Sequence, residues 1–224
     1  MLNTIIFDMD GVLIDGSAGL KNSLLWVTRN CNLRGLTEIE MNDFFRVVPL
    51  QKSFVTTFDV TSEDAQRYST VFREYYKQGE HLNARLYDGV YNVLAELMSL
   101  GMKLGIATYK REDYALDIIR HFELDKYCMA VFSADAENRL SKADIIFNCL
   151  KLLSADPKSS AYVGDTVSDA KATVELGMNF IASTYGFGFL NEAETSVYNP
   201  FMVIDDIRKL AKLLPPGDAN LSGS

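Results

Sequence analysis

Six short apolar runs, at residues 2–7, 103–107, 130–134, 160–164, 180–183 and 201–204, restrict the fold of this chain more than any other feature. Stretches of helical periodicity, at 88–100, 112–122, 141–153, 168–176 and 206–214, follow or separate all of them but the first. Gly101 and Gly177 close two of these helices, and Pro215 and Pro216 stop the last. Repeated alternation of this kind predicts an α/β protein with a mostly parallel, Rossmann-like doubly wound sheet covered by helices on both faces. The first run, with Leu2, Ile5, Ile6 and Phe7, is apolar without alternation, as a central strand buried on both faces requires.

Residues 16–85 read differently. They carry helical periodicities and no convincing strand, with a capping box at Thr37 and Glu40 and a weaker one at Thr61 and Asp64. An inserted all-helical unit is expected there, with the α/β core formed by residues 1–15 and 86–214 and a loose polar tail at 215–224. The aromatic stripe through Phe44, Phe45, Tyr68, Phe72 and Tyr75 is expected to be core.

Composition narrows the partners. A net charge of −8 without clustered Lys and Arg argues against a nucleic-acid surface and favours a small molecule. No run approaches membrane-spanning length and no basic segment leads into an apolar one near residue 1, so a cytoplasmic protein with no membrane contact is expected. Cys31, Cys128 and Cys149 lack any CxxC spacing and fit reduced, packed thiols.

The strand ends carry the chemistry, because in open α/β sheets ligands bind outside the carboxyl ends of the strands. Asp8 and Asp10 end the first run, one residue apart, so both can face one volume. Two carboxylates so close need a compensating cation, although Asp-x-Asp-Gly also serves as a plain turn. Thr108 ends the second run, Lys142 opens a helix, and Asp165 and Asp169 follow a later run in VGDTVSD. Each taken singly has a bland role as turn residue, helix cap or solvated charge. Jointly they bring carboxylates, a hydroxyl and an ammonium to one sheet edge, a set suited to phosphoryl transfer with Mg²⁺. His81 and His121 have no partner at metal spacing, and Arg46 and Lys52 fit a solvated helix face better than an anion site.

DMDGV at Asp8 to Val12, Thr108 after LGIA, Lys142, and GDTVSD at Gly164 to Asp169 resemble, in order and spacing, the four motifs of the haloacid dehalogenase superfamily. VPLQKSF at Val48 to Phe54 and TYGFG at Thr184 to Gly188 are similar to stretches of its phosphoglycolate phosphatase-like and bacterial nucleotidase-like branch. The resemblance implies a Mg²⁺-dependent phosphatase for a small phosphorylated metabolite, phosphoglycolate-like or a nucleoside monophosphate, working through an aspartyl-phosphate. It implies Asp8 as nucleophile and metal ligand, and Asp10 as general acid and base whose backbone carbonyl touches the metal. Thr108 and Tyr109 would meet the phosphoryl group, Lys142 would bridge phosphate and Asp8, and Asp165 would ligate Mg²⁺. Asp169 would ligate through water or orient Lys142, and the helical unit would be a mobile cap. Val47 and Val48 stand where the branch has Gly-Pro, Tyr109 where Asn or Ser is common, and Ala143 where Pro is common. A phosphosugar mutase on the same core and a non-catalytic binding module are the alternatives, and a monomer or weak homodimer is expected.

Overall fold

The apolar run Thr4–Phe7 forms β1, and all four of its residues are buried. In the computed structural model, which describes residues 2–47, 49–135 and 139–213, this strand lies inside a six-stranded sheet of order β5-β4-β1-β6-β7-β8. The other strands are β4 (Lys103–Arg111), β5 (Ala130–Ala134), β6 (Ser160–Gly164), β7 (Asn179–Ser183) and β8 (Met202–Ile204). Every pairing between them is parallel, as right-handed crossovers through helices require. The crossovers run through α5 (Val90–Ser99), α6 (Glu112–His121), α7 (Lys142–Leu153) and α8 (Val167–Leu176). One apolar layer holds Ile5, Phe7, Leu94, Ile106 and Ile118, and the other Ile6, Ala107, Ile146, Cys149 and Tyr162. Alternate residues of β1 thus face opposite layers, and the fold is the doubly wound α/β architecture expected from the alternation.

Between β1 and α5 the chain makes β2 (Ile14–Asp15), four helices and β3 (Arg85–Leu86). The helices are α1 (Ser17–Asn30), α2 (Glu38–Arg46), α3 (Leu50–Phe58) and α4 (Ser62–Tyr76). Thr37 and Glu40 make the reciprocal capping box at α2, and the Thr61 side chain accepts from the Asp64 N–H at α4. These helices share an apolar cluster of their own through Leu24, Val27, Phe44, Phe54 and Phe72, joined from the core side by Tyr114 of α6. Where the segment leaves and re-enters the core, Ile14 pairs with Leu86 and Asp15 with Arg85 in an antiparallel ribbon.

Several boundaries differ from the expected ones. β4 continues past Ala107 to Arg111 through an irregularity between Thr108 and Arg111, so four polar residues extend the strand over the sheet edge. The segment after β8 is a 3₁₀ helix, Ile207–Leu213, rather than an α-helix, while Leu214, both terminal prolines and the 215–224 tail lie outside the described residues. Val48 of the cap loop also lies outside them. A short α9 (Glu192–Thr195) and the ribbon carried too few residues to leave a periodic signal. The three cysteines are free thiols, and no helix among the described residues is long and apolar enough to cross a membrane.

Candidate active site

The carboxyl ends of β1, β4 and β6 converge with the N-termini of α7 and α8. The Asp8 N–H still donates to Val163 O at 2.8 Å, which extends the β1 ladder by one residue and fixes its side chain at the rim. The Asp8 carboxylate takes the Met9 N–H at 2.8 Å and the Lys142 ammonium at 3.1 Å. Lys142 is the first residue of α7 and only 4 % exposed. A cation at a helix N-terminus opposes the macrodipole, and two carboxylates offset that cost, since the ammonium also lies 3.0 Å from Asp169. The capping box of Ser141 and Asp144 fixes the turn from which Lys142 projects. Burial works against the charged amine, and Asp169 and Asp8 more than reverse it, holding the Lys142 pKa above the ordinary lysine value.

Asp169 is held at both ends. One oxygen accepts from the Thr166 N–H at 3.0 Å and the Thr166 hydroxyl at 2.7 Å, closing the capping box of α8, and the other faces Lys142. Asp165 directly follows β6, and its Oδ2 accepts the N–H groups of Phe187 at 2.6 Å and Gly188 at 3.1 Å. The loop after β7 therefore clamps Asp165 with backbone. A Cβ at Gly186 would intrude on the Asp165 carboxylate, and one at Gly188 on its carbonyl, so only glycine permits that approach.

One oxygen from each of Asp8, Asp165 and Asp169 lies within 4.8 Å of the others. Burial pushes the Asp8 carboxyl up to about 6, with Lys142 opposing and Asp169 adding to the shift. Burial, Asp169 and Asp8 hold Asp165 well above the usual carboxylate range. Three buried acids against one ammonium leave uncompensated negative charge, and an all-oxygen donor set of this kind fits a hard divalent cation such as Mg²⁺. Asp8 and Asp165 would hold it. Asp169 is already engaged with Lys142 and Thr166, which favours the orienting role of the two that the sequence allowed.

Thr108 is buried beside the acids at the end of the regular part of β4, and its hydroxyl accepts the Lys110 N–H at 3.2 Å. The Tyr109 ring lies 5.9 Å from the Lys142 ammonium and Tyr162 5.4 Å, a cation–π floor under the amine. Asp10 does not join the acid cluster. Its carboxylate pairs with Lys110 at 3.0 and 3.1 Å, and the same buried ammonium donates to the Tyr76 hydroxyl of α4 at 2.8 Å. Lys110 and Tyr76 were not singled out from the sequence. Lys110 stands two residues beyond Thr108 on a strand, a spacing that does signal a shared face, whereas nothing local links Tyr76 to the sheet edge.

Asp8, Asp10, Thr108, Tyr109, Lys110, Lys142, Asp165 and Asp169 line a cavity of about 510 Å³ between the sheet edge and the helical segment. Its other wall comes from Phe45, Phe72, Tyr76, Val47, Leu50 and Tyr114. Part of the aromatic stripe therefore faces the cavity: Phe44 and Tyr68 are core, Phe45 and Phe72 serve both core and cavity, and Tyr75 lies outside that cluster, stacked on Trp26 with ring centroids 4.4 Å apart. Arg46 reaches Glu194 of the core at 3.4 Å, outside this cavity, and Lys52 is exposed. His81 contacts Tyr76 O and Asp117, and neither histidine belongs to the acid cluster.

A doubly wound sheet with an inserted helical segment and a buried acid–lysine cluster at its carboxyl edge defines an α/β protein with a polar site at the rim of its sheet. The family model described as haloacid dehalogenase-like hydrolase matches residues 5–183, and the chain belongs to that family. It is 26% identical over 213 residues to a 5'-nucleotidase from Pseudomonas aeruginosa, covering 94% of each. It is also 26% identical over 210 residues to tyrosine-protein kinase PtkA from Mycobacterium tuberculosis, covering 92% of this chain and 71% of that protein. Among solved structures, a haloacid dehalogenase-like family hydrolase from Streptococcus pneumoniae superposes with TM-score 0.86 at 25% identity, over 95% of this chain and 98% of that one.

Proposed function

We propose that the chain is a Mg²⁺-dependent phosphatase that hydrolyses a phosphomonoester through an aspartyl-phosphate on Asp8. The observation that supports this best is the meeting of Asp8, Lys142 and Asp165 at one buried point beside Thr108. Bound Mg²⁺ would supply charge neutralisation for the acids and the phosphoryl oxygens. The Asp8 carboxylate attacks phosphorus while the ester P–O bond breaks, and the departing alcohol takes through Asp10 the proton that the Asp10–Lys110 pair holds. Water then attacks the aspartyl-phosphate, Asp10 takes a proton from it, the Asp8 O–P bond breaks, and inorganic phosphate leaves with Asp8 restored. Lys142 and the Thr108 hydroxyl hold the phosphoryl oxygens, where negative charge stays throughout.

Residues 16–85 act as a cap over a core of residues 1–15 and 86–214, with the ribbon of residues 14–15 and 85–86 as the hinge. Closure excludes water during the first half-reaction. The cavity is larger than a two-carbon phosphoacid fills and its cap wall is aromatic, which favours a substrate with an unsaturated body over phosphoglycolate itself. Asp8→Asn should abolish phosphate release from 4-nitrophenyl phosphate in the presence of Mg²⁺ with the circular dichroism spectrum unchanged. Turnover near wild type would refute the reading.

A further inference from the structure

Two guanidinium groups in the cavity wall have no task in the proposed chemistry. Arg73, on α4, lines the cavity half-buried. Among the described residues no carboxylate pairs with it and no carbonyl accepts a hydrogen bond from it. Arg111, at the end of β4, lines the same cavity, with its guanidinium carbon 5.6 Å from the Tyr114 ring centroid. Its one anionic contact is Asp113, at 3.4 Å from both Nε and Nη2, and its buried Nε completes no hydrogen bond among the described residues. Asp113 also faces Lys77 at 3.7 Å, so Lys77 and Arg111 share one carboxylate and Arg73 has none.

Like charges at the wall of a closed cavity are costly unless an anion comes between them. Burial and the neighbouring Arg111 both disfavour the charged form of Arg73. The reacting phosphate is not that anion, since Lys142, Thr108 and the metal site already receive it. Arg73 stands one helical turn before Tyr76, which reaches Lys110 and through it Asp10. The arginine pair therefore borders the reacting groups one helical turn away along α4 and one residue further along β4, with Phe45, Phe72 and Tyr114 around it.

We propose that Arg73 and Arg111 bind a second anionic group of the substrate, a carboxylate or a second phosphate joined to the reacting phosphate by an aromatic body. This inference rests on the phosphatase reading of the site. Planar guanidiniums grip such oxygens with paired hydrogen bonds, and the aromatic wall accommodates the ring between the two anions.

The test compares 3- and 4-carboxyphenyl phosphate with 3- and 4-carbamoylphenyl phosphate, pairs of equal shape that differ by one charge. With Mg²⁺, the wild-type kcat/KM ratio of carboxylate over amide should be at least tenfold for one isomer. Arg73→Met and Arg111→Met should each bring that ratio below threefold, mainly by raising KM for the carboxylate ester, and Arg73→Lys should keep part of it. A wild-type ratio near one for both isomers, or an unchanged ratio in both methionine variants, overturns the inference. If no ester is turned over, the phosphatase reading fails instead. Calorimetric titration of the same esters onto the Mg²⁺-loaded protein then decides this one: a tenfold difference in Kd that Arg73→Met removes supports it, and equal or absent binding overturns it.

Discussion

The ammonium of Lys142 lies between Asp8 and Asp169, all three buried. Removing the ammonium strands both carboxylates in a poorly hydrated site. Lys142→Met should therefore lower the unfolding free energy of the metal-free protein by about 3–5 kcal/mol in urea denaturation, with a smaller loss in millimolar Mg²⁺, which would offset the same carboxylates. Asp8→Asn should act in the opposite direction. Its carboxyl is raised from 3.8 to about 6 in the folded protein, so the folded state binds the proton more tightly than the unfolded one. The stability this provides is complete below pH 4 and is lost as pH rises through 6. Metal-free Asp8→Asn should thus be more stable than wild type at pH 7, by up to about 3 kcal/mol, and the two should converge near pH 4. A melting series from pH 4 to 7 in EDTA measures this, and a wild type that gains on the variant as pH rises would contradict it. Asp8, Thr108, Lys142 and Asp165 were legible as candidates because each ends a strand or opens a helix at a motif. The pairing of Asp10 with Lys110 was not, because the motif shows its residues but not which neighbour each side chain turns to.

Two helix starts and one loop do the positioning. Ser141 accepts the Asp144 N–H, and the Asp144 carboxylate accepts the Ser141 N–H at 2.9 Å, both residues being exposed. Ser141→Ala should remove about 1 kcal/mol of stability. Its effect on activity should exceed that of a cap loss elsewhere, such as Thr61→Ala at α4, because Lys142 is the next residue. The loop after β7 holds Asp165 by backbone alone, so a side chain at Gly186 must displace either the carboxylate or the loop. Gly186→Ala should weaken Mg²⁺ activation at least tenfold and also lower the melting temperature in EDTA, since the added Cβ meets the Gly11 carbonyl as well as Asp165, and equal Mg²⁺ half-saturation in the two proteins would count against the clamp. Long elements with a period were visible in the sequence down to their caps, as at Thr37 and Thr61. The ribbon of residues 14–15 and 85–86 was not, since two-residue strands have no period and form only when distant segments meet.

At the scale of the whole molecule, the helical segment and the sheet edge meet over the cavity through few polar contacts. Arg46 reaches Glu194 at 3.4 Å with both side chains partly exposed, a pair of little energetic weight. Tyr76 is different: its hydroxyl is the acceptor for a buried ammonium that also holds Asp10, so the segment touches the proposed proton carrier through a single intermediary. No reading of a linear sequence could supply that link, because it depends on how far α4 descends over β4. A hydrogen bond to a charged donor contributes about 1.5–3 kcal/mol, and here it is made only when the segment lies over the core. Tyr76→Phe keeps the ring against Phe72 and Tyr114 and deletes only the acceptor. The open form should then gain at the expense of the closed one. KM for an aryl phosphate should rise about tenfold, and amides at residues 14–15 and 85–86 should exchange faster, with global stability lowered by no more than the lost bond. Unchanged KM and unchanged exchange at the ribbon would mean that Tyr76 does not latch the segment, and that its other contacts with the core, through Tyr114 and the Lys77–Asp113 and His81–Asp117 pairs, keep it closed.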